Sequence, residues 1–376
     1  VGRRSVLIVT GEPSGDRAGG LLARELLRLE PSARIRAVGG AALRAAGAEI
    51  VQDIAELSAM GFLEVVEHLP RLWSLRRRLV RLLDHERPDV VVLVDYPDFN
   101  LGIARLAKSR GIPVVYYIGP QVWAWRRGRV SQIARVVDRM LVVFPFERAI
   151  YERAGVPVEF VGHPLLDTLP SPEDEPPGGP DDGRRTLGLL AGSRVQEVRR
   201  IFPVMVRTAA RLRRDDPSLR VLASVAPSVP REEYDAILRA EGETSIEMRT
   251  DAAAAIVRES TVVLVTSGTA TLEAALVGTP LIVLYRTSAL TWWIGRRVVD
   301  LPRISLVNIV AERDLVSEFL QDDARPEPIA DAVRVLLEDV DARQRLRADL
   351  RALRTRLGEP GASARAARSV WAEASR

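Results

Sequence analysis

The sequence predicts an α/β chain of two doubly wound, parallel-sheet domains in series. Short Val- and Ile-rich runs are continuous rather than alternating, as in strands covered on both faces by helices. Between them, apolar residues recur at helical spacing. Halfway along, a stretch dense in proline, glycine and acid interrupts this rhythm, which then restarts.

In the first half, predicted strands fall at Ser5–Thr10, Ile35–Val38, Val90–Val94, Pro113–Ile118, Met140–Phe144 and Glu159–Val161, with helical patterns at Ala18–Leu29 and Leu101–Ser109. Leu169 to Gly183 cannot form a regular element and reads as a linker. Strands then return at Thr186–Leu190, Arg220–Ser224, Thr261–Thr266 and Pro280–Tyr285, with helices over Gln196–Arg213 and Ala270–Val277. From Ile329 the chain is helical, and Gly358-Glu-Pro-Gly-Ala362 breaks it before a last helix ending near Ser375. The expected organisation is a Rossmann-like domain over residues 1–168, a linker over 169–184, a second such domain over 185–350, and a helical tail over 351–376 that returns to the first domain.

The length of 376 residues exceeds one hydrophobic unit, and 47% hydrophobic content supports a large core. The absence of cysteine removes disulfides, thiolate nucleophiles and Cys-ligated metal. His68, His85 and His163 are too dispersed for a preformed His site, so neither metal nor cofactor is expected. All basic residues but Lys108 are arginine, and the net charge of +4 suits phosphorylated ligands or an anionic surface as readily as it reflects codon usage. No apolar run reaches the roughly 18 residues of a membrane span, and Val1 to Thr10 enters a strand at once, so neither a span nor a secretion signal is expected.

Chemistry concentrates where strands end. Gly11-Glu-Pro-Ser-Gly-Asp16 leaves the first strand toward a helix predicted to begin near Ala18, which presents amides to an anion. The spacing is neither the dinucleotide fingerprint nor a Walker loop, and a plain turn capped by Ser14 or Asp16 is the alternative. Val94-Asp-Tyr-Pro-Asp-Phe-Asn100 aims two carboxylates at the edge where open α/β sheets bind ligands. Either Asp95 or Asp98 can act as a base, and either can cap the following helix. Tyr116 to Arg129 gathers Trp123, Trp125 and three arginines, which form a phosphate clamp with an apolar wall or a buried aromatic cluster.

In the second half, Leu190-Ala-Gly-Ser-Arg-Val-Gln-Glu-Val198 and Thr266-Ser-Gly-Thr-Ala-Thr-Leu-Glu-Ala274 each run from a strand through a turn into a helix. Ser193 is placed to cap the first and Arg194 to meet a diphosphate, while Glu273 can accept from ribose hydroxyls. Each alone reads as a capped helix start; together they point to a nucleotide diphosphate. Met60 to Arg78 and Leu290 to Arg297 mix large apolar side chains with arginines, the composition of a helix at an anionic bilayer or of ordinary packing with a basic face.

Gly11–Asp16, Val94–Asn100, Val122-Trp-Ala-Trp125, Phe160-Val-Gly-His-Pro164, Ala191–Arg194 and Ser267–Glu273, in this order, resemble the lipid-A-disaccharide synthase family over about Ser5 to Asp322. The resemblance implies a GT-B fold, two Rossmann-like domains facing a cleft, and an inverting transfer. The transfer joins UDP-2,3-diacylglucosamine to 2,3-diacylglucosamine 1-phosphate through a β-1,6 bond, without metal. By position it assigns Asp95 as base. Glu12, Ser14, Asp16, Asp98, Asn100, Trp123, Arg126 and His163 are assigned to substrate, and Ser193, Arg194, Glu197, Gly268, Thr269, Ala270, Glu273 and Asn308 to UDP. Pro13 and Tyr96 depart from the usual pattern and bear on acceptor geometry. Acylated substrates imply a membrane surface as partner, through residues 60–78, at the cytoplasmic face of the inner membrane. A homodimer is compatible and nucleic acid is not expected. Competing readings are a UDP-GlcNAc 2-epimerase, another GT-B transferase, or a non-catalytic nucleotide-sugar binder.

Overall fold

A computed structural model describes residues 3–54, 65–124, 128–171, 185–250, 253–298 and 303–375. The chain divides into two compact units, Val1–Asp167 with Leu357–Arg376, and Thr168–Arg356.

In the first unit, strands β1 (Ser5–Val9), β2 (Arg34–Gly39), β3 (Glu49–Asp53), β4 (Val90–Val94), β5 (Val114–Tyr117), β6 (Arg139–Val142) and β7 (Val158–Phe160) form one parallel sheet. Their order is β3-β2-β1-β4-β5-β6-β7. All five residues of β4 are buried, and an aliphatic side chain so placed contributes roughly 1.5–3 kcal/mol. The covering helices are α1 (Pro13–Leu29), α2 (Ala41–Ala45), α3 (Val65–His85), α4 (Pro97–Lys108), α5 (Arg129–Val136) and α6 (Glu147–Arg153). Leu75, Leu79, Leu82 and Leu83 recur at helical spacing and put one face of α3 into the core with Leu93, Ile103 and Tyr116.

The second unit holds β8 (Thr186–Leu190), β9 (Arg220–Ser224), β10 (Glu247–Arg249), β11 (Val262–Thr266), β12 (Leu281–Tyr285) and β13 (Glu318–Leu320), again parallel, in the order β10-β9-β8-β11-β12-β13. Around it lie α7 (Val195–Asp215), α8 (Arg231–Glu241), α9 (Ala253–Glu259), α10 (Thr269–Val277), α11 (Ala289–Val298), α12 (Leu306–Ala311), α13 (Pro326–Glu338) and α14 (Val340–Arg356). Helix α10 is buried on every side from Thr271 to Val277.

The last helix, α15 (Ala362–Ala374), packs on α1 in the first unit. Asp167 accepts backbone N–H bonds from Gly361 (2.6 Å), Ala362 (3.0 Å) and Ser363 (2.8 Å) at its start. The buried Glu373 pairs with Arg139 at 2.5 Å. Gly162, at φ 83°, lies 3.3 Å from Cα to the position a Gly358 Cβ would take, and the His163 amide donates to Leu357 O at 3.0 Å. A side chain on either glycine would push these two segments apart.

Three strands escape the sequence reading: β3, β10 and β13. All are sheet edges whose residues are partly exposed, so they lack the continuous apolar run that marks a central strand. Two helices start earlier than predicted, α1 at Pro13 rather than near Ala18, and α4 at Pro97 rather than near Leu101. In both, proline occupies a first-turn position where its missing N–H costs nothing. Residues 172–184, within the predicted linker, lie outside the described residues, as do residues 60–64 of the predicted membrane segment.

Candidate active-site turns at the two sheet switch points

Each sheet reverses its winding once, between β1 and β4 in the first unit and between β8 and β11 in the second. Open α/β sheets bind ligands outside the carboxyl ends of the strands at this point. Four of the sequence motifs leave these four strands.

In the first unit, β4 runs into Asp95 and Tyr96, both left-handed at φ 48° and 49°. For residues other than glycine this costs about 1–2 kcal/mol each and persists only where neighbours enforce it. Here the Asp95 carbonyl accepts from Asn100 Nδ2 at 2.7 Å and from Tyr116 Oη at 2.6 Å, and the Asp95 amide donates to Ile118 O at 3.2 Å. Burial holds the Tyr116 phenol well above its usual pKa, so it remains a donor. The backbone that carries this partly exposed aspartate is thereby fixed at the switch point. Across from it, a Cβ on Gly11 would fall 2.2 Å from the Tyr96 ring, so only glycine lets the β1 turn approach the β4 turn this closely. Burial, with the charges of Glu12 and Asp98, raises the Tyr96 pKa.

Several predicted ligand contacts have another occupation. Asp16 is 5% exposed and accepts from the amides of Gly40 (2.6 Å), Ala42 (2.9 Å) and Leu43 (3.3 Å); it caps the neighbouring α2 instead of its own helix. The residue before α1 is Glu12, without a side-chain cap, and Ser14 is exposed in the first turn. Asn100 is fully buried, and its Nδ2 faces the carbonyls of Val9, Val94 and Asp95. Asp98 does not cap α4; it pairs with the buried guanidinium of Arg129 while remaining 67% exposed.

After β5 and β6, Trp123 meets Phe146 edge to face at 5.3 Å, and Phe144 stacks on Phe146 at 5.6 Å. His163 lies 5.6 Å from Phe144. Trp123 thus sits in an aromatic cluster while remaining partly exposed. Its indole donates to Glu147 at 3.1 Å, a carboxyl that sequence reasoning missed because it sits in an ordinary helical run. Burial raises the Glu147 pKa to about 7. Burial lowers that of His163 to about 4, so the ring is neutral near pH 7. Its Nδ1 accepts from the Leu165 amide at 3.2 Å, which leaves the proton on Nε2. Trp125 and Arg126 lie outside the described residues.

In the second unit, the turn after β8 folds around Glu197, which accepts from the Ser193 amide and from Arg194, each at 3.0 Å. Ser193 does not cap α7, whose preceding residue is Arg194; Glu197 serves the turn from within. Arg194 presents a side chain 59% exposed. Past β11, Gly268 and Thr269 are exposed, and Thr269 and Ala270 open α10, whose first amides lack partners within the helix. One turn further, Glu273 is 9% exposed. Asn308 is 1% exposed, with its amide spent on Val316 O and Glu318 and its carbonyl on the amides of Leu315 and Val316, all at 2.8–2.9 Å. It ties α12 to the entry of β13 and has no hydrogen-bonding capacity left for a nucleotide.

A family model described as lipid-A-disaccharide synthetase matches residues 6–371. The chain is 42% identical over 368 residues to the lipid-A-disaccharide synthase of Geobacter metallireducens, covering 97% of this chain and 96% of that protein. It is 42% identical over 369 residues to the one of Myxococcus xanthus, with 97% and 96% covered. Among solved structures, UDP-GlcNAc 2-epimerase from Neisseria meningitidis, bound to UDP-GlcNAc, superposes with a TM-score of 0.65 at 13% identity, covering 99% of this chain and 100% of that one. That likeness establishes the shared GT-B type of fold.

Proposed function

Because the chain belongs to the lipid-A-disaccharide synthase family, we propose that Asp95 is the base of its glycosyl transfer and that the turns after β8 and β11 hold the donor's UDP. The enzyme is an inverting hexosyltransferase. It moves 2,3-diacylglucosamine from UDP to 2,3-diacylglucosamine 1-phosphate and releases UDP.

In this reading the acceptor's 6-hydroxyl oxygen attacks the anomeric carbon from the face opposite the diphosphate. The new C–O bond forms as the bond to the phosphate oxygen breaks, which inverts the centre to β, and the hydroxyl proton passes to Asp95. Charge growing on the departing diphosphate meets the opening amides of α10 and the Arg194 guanidinium, both of which favour an anion. Glu273 accepts from the ribose hydroxyls. The observation that carries the proposal is the doubly left-handed Asp95–Tyr96 step at the β1/β4 switch point, held by Asn100 and Tyr116. Backbone strain enforced at a ligand edge is where a functional side chain is expected. In this reading Asn100 and Glu197 shape these turns, and Asp16 and Asn308 brace segments beside them, without touching substrate.

Arg194→Ala and Glu273→Gln should each weaken UDP binding about tenfold, since a charge-assisted hydrogen bond contributes about 1.5–3 kcal/mol. Titration calorimetry with UDP reads this, and unchanged affinity in both variants would move the nucleotide elsewhere.

Peripheral contact with the cytoplasmic face of the inner membrane completes the proposal. Among the described residues no helix is long and apolar enough to cross a membrane. Helix α3 turns Trp73, 56% exposed, to the side away from its leucines, with the Arg76 guanidinium 5.9 Å from the ring centroid and Arg77 exposed. Indoles and arginines together suit the headgroup region. Replacing Phe62, Leu63 and Trp73 with serine should shift the enzyme from sedimented anionic vesicles to the supernatant; unaltered partitioning would exclude this face.

A further inference from the structure

One buried acid of the first unit takes no part in the transfer described above. Glu147 opens α6 and is 1% exposed. Its Oε1 accepts the Trp123 indole N–H at 3.1 Å, and its Oε2 accepts the Phe144 amide at 3.2 Å. A bond from the Val143 amide also favours its ionised form. A single carboxyl thus ties the turn after β5 to the turn after β6.

What it holds is an aromatic wall. Trp123 meets Phe146 edge to face at 5.3 Å and Phe144 at 6.5 Å, and Phe144 stacks on Phe146. Phe144 is buried, whereas Trp123 and Phe146 keep part of their surface open. Ring packing tolerates several orientations of an indole, and the bond to Glu147 selects one.

The strand that leads to this wall also touches the proposed base. Tyr116 on β5 donates to the Asp95 carbonyl at 2.6 Å, and the Asp95 amide donates to Ile118 O at 3.2 Å. Trp123 follows in the next turn, which is closed by bonds from Val122 N–H to Pro120 O and from Ala124 N–H to Gln121 O. Strands β4, β5 and β6 are neighbours about 4.8 Å apart, so the wall belongs to the same end of the sheet as Asp95, one to two strands along. We infer that Glu147 is a positioning residue for the acceptor: it holds Trp123 so that the indole and Phe146 form the apolar wall for the sugar that carries the attacking hydroxyl. The inference rests on Asp95 as the base.

The proton on Glu147 provides a probe. Burial raises its pKa to about 7, so as pH falls through that value the carboxyl becomes a poorer acceptor and its charge-assisted hold on the indole weakens. The described titratable groups nearest to it are Tyr151 on the same helix, which donates to Pro120 O, and His163 beyond the Phe144 ring; near pH 7 the phenol is protonated and the imidazole neutral. On the elements packed against α6, Arg129 pairs with Asp98, Arg139 with Glu373, Glu159 with Ser369, and Arg135 is exposed.

The test measures acceptor KM, kcat and UDP affinity from about pH 5.5 to about pH 8.5. Glu147→Gln keeps the shape of the side chain and turns an amide N–H toward one of its donors. Its acceptor KM should rise about tenfold at the alkaline end, while kcat and UDP affinity change less than about threefold. The rise of KM toward acid should flatten relative to the unsubstituted enzyme; the acceptor phosphate titrates in the same range, so the reading is the difference between the two proteins. Trp123→Phe keeps a ring and removes the indole bond, so it should show the same raised, flattened KM, and the double variant should add nothing further. Trp123 is partly exposed, so this variant gives the answer even if Glu147→Gln does not fold. An unchanged acceptor KM in either folded variant, a full acid-side rise retained in Trp123→Phe, or effects that multiply in the double variant overturns the inference. If Asp95→Asn turns over at the native rate, the base assignment beneath it fails separately.

Discussion

Asp95→Asn is expected to lower kcat by about two to four orders of magnitude while UDP binds with undiminished affinity. The substitution keeps the shape of the side chain and removes its ability to take a proton. The backbone contacts that hold the left-handed step come from the Asp95 carbonyl and amide, so they survive the change. Asp98→Asn is the necessary control, because the sequence alone offers both carboxylates. Asp98 is paired with Arg129, and its loss should cost less than about tenfold, mostly in KM. An Asp95 variant that turns over at the native rate beside an inactive Asp98 variant would reverse the assignment.

The second large effect falls on stability. Asp16→Ala leaves the amides of Gly40, Ala42 and Leu43 without their acceptor in a buried setting, at about 1–3 kcal/mol for each unsatisfied group. Partial rearrangement gives an expected total of about 3–5 kcal/mol, read as a lowered urea midpoint. Asp16→Asn should fall between, since its amide nitrogen cannot accept. An alanine variant of native stability that has lost only substrate affinity would return Asp16 to the role of a ligand contact.

These two aspartates show what was legible in the sequence and what was not. Central strands such as β4 and β8 announce themselves as unbroken apolar runs, and the turns after them bear the motifs, so the location of the candidate site follows from sequence. Edge strands β3, β10 and β13 do not, because exposure on one side removes that signal. Nor can a motif say which of its polar residues faces a ligand. Asp16 and Asn308 look like contacts beside Glu12 and Glu273, yet Asp16 spends its hydrogen bonds on amides 24 to 27 residues away and Asn308 on groups 7 to 10 residues away in the next segment. Partners set by the fold of another segment leave no periodic trace. Glu147 marks the converse case, a buried acid in the Trp123 cluster that no spacing rule picks out. His163, which the resemblance assigns to substrate, has its amide bonded to Leu357 O, and Gly162 beside it meets the returning chain at Gly358.

The proposal of Asp95 as base, with the nucleotide held by the turns after β8 and β11, is tested most directly by product analysis of the purified enzyme. Incubation with UDP-2,3-diacylglucosamine and 2,3-diacylglucosamine 1-phosphate, followed by mass spectrometry, should show the tetraacyl disaccharide phosphate and UDP in equal amounts, with the disaccharide nearly absent from the Asp95→Asn reaction. Disaccharide formed by that variant at the native rate, or UDP-GlcNAc epimerised by the unsubstituted enzyme without any acceptor, would contradict it.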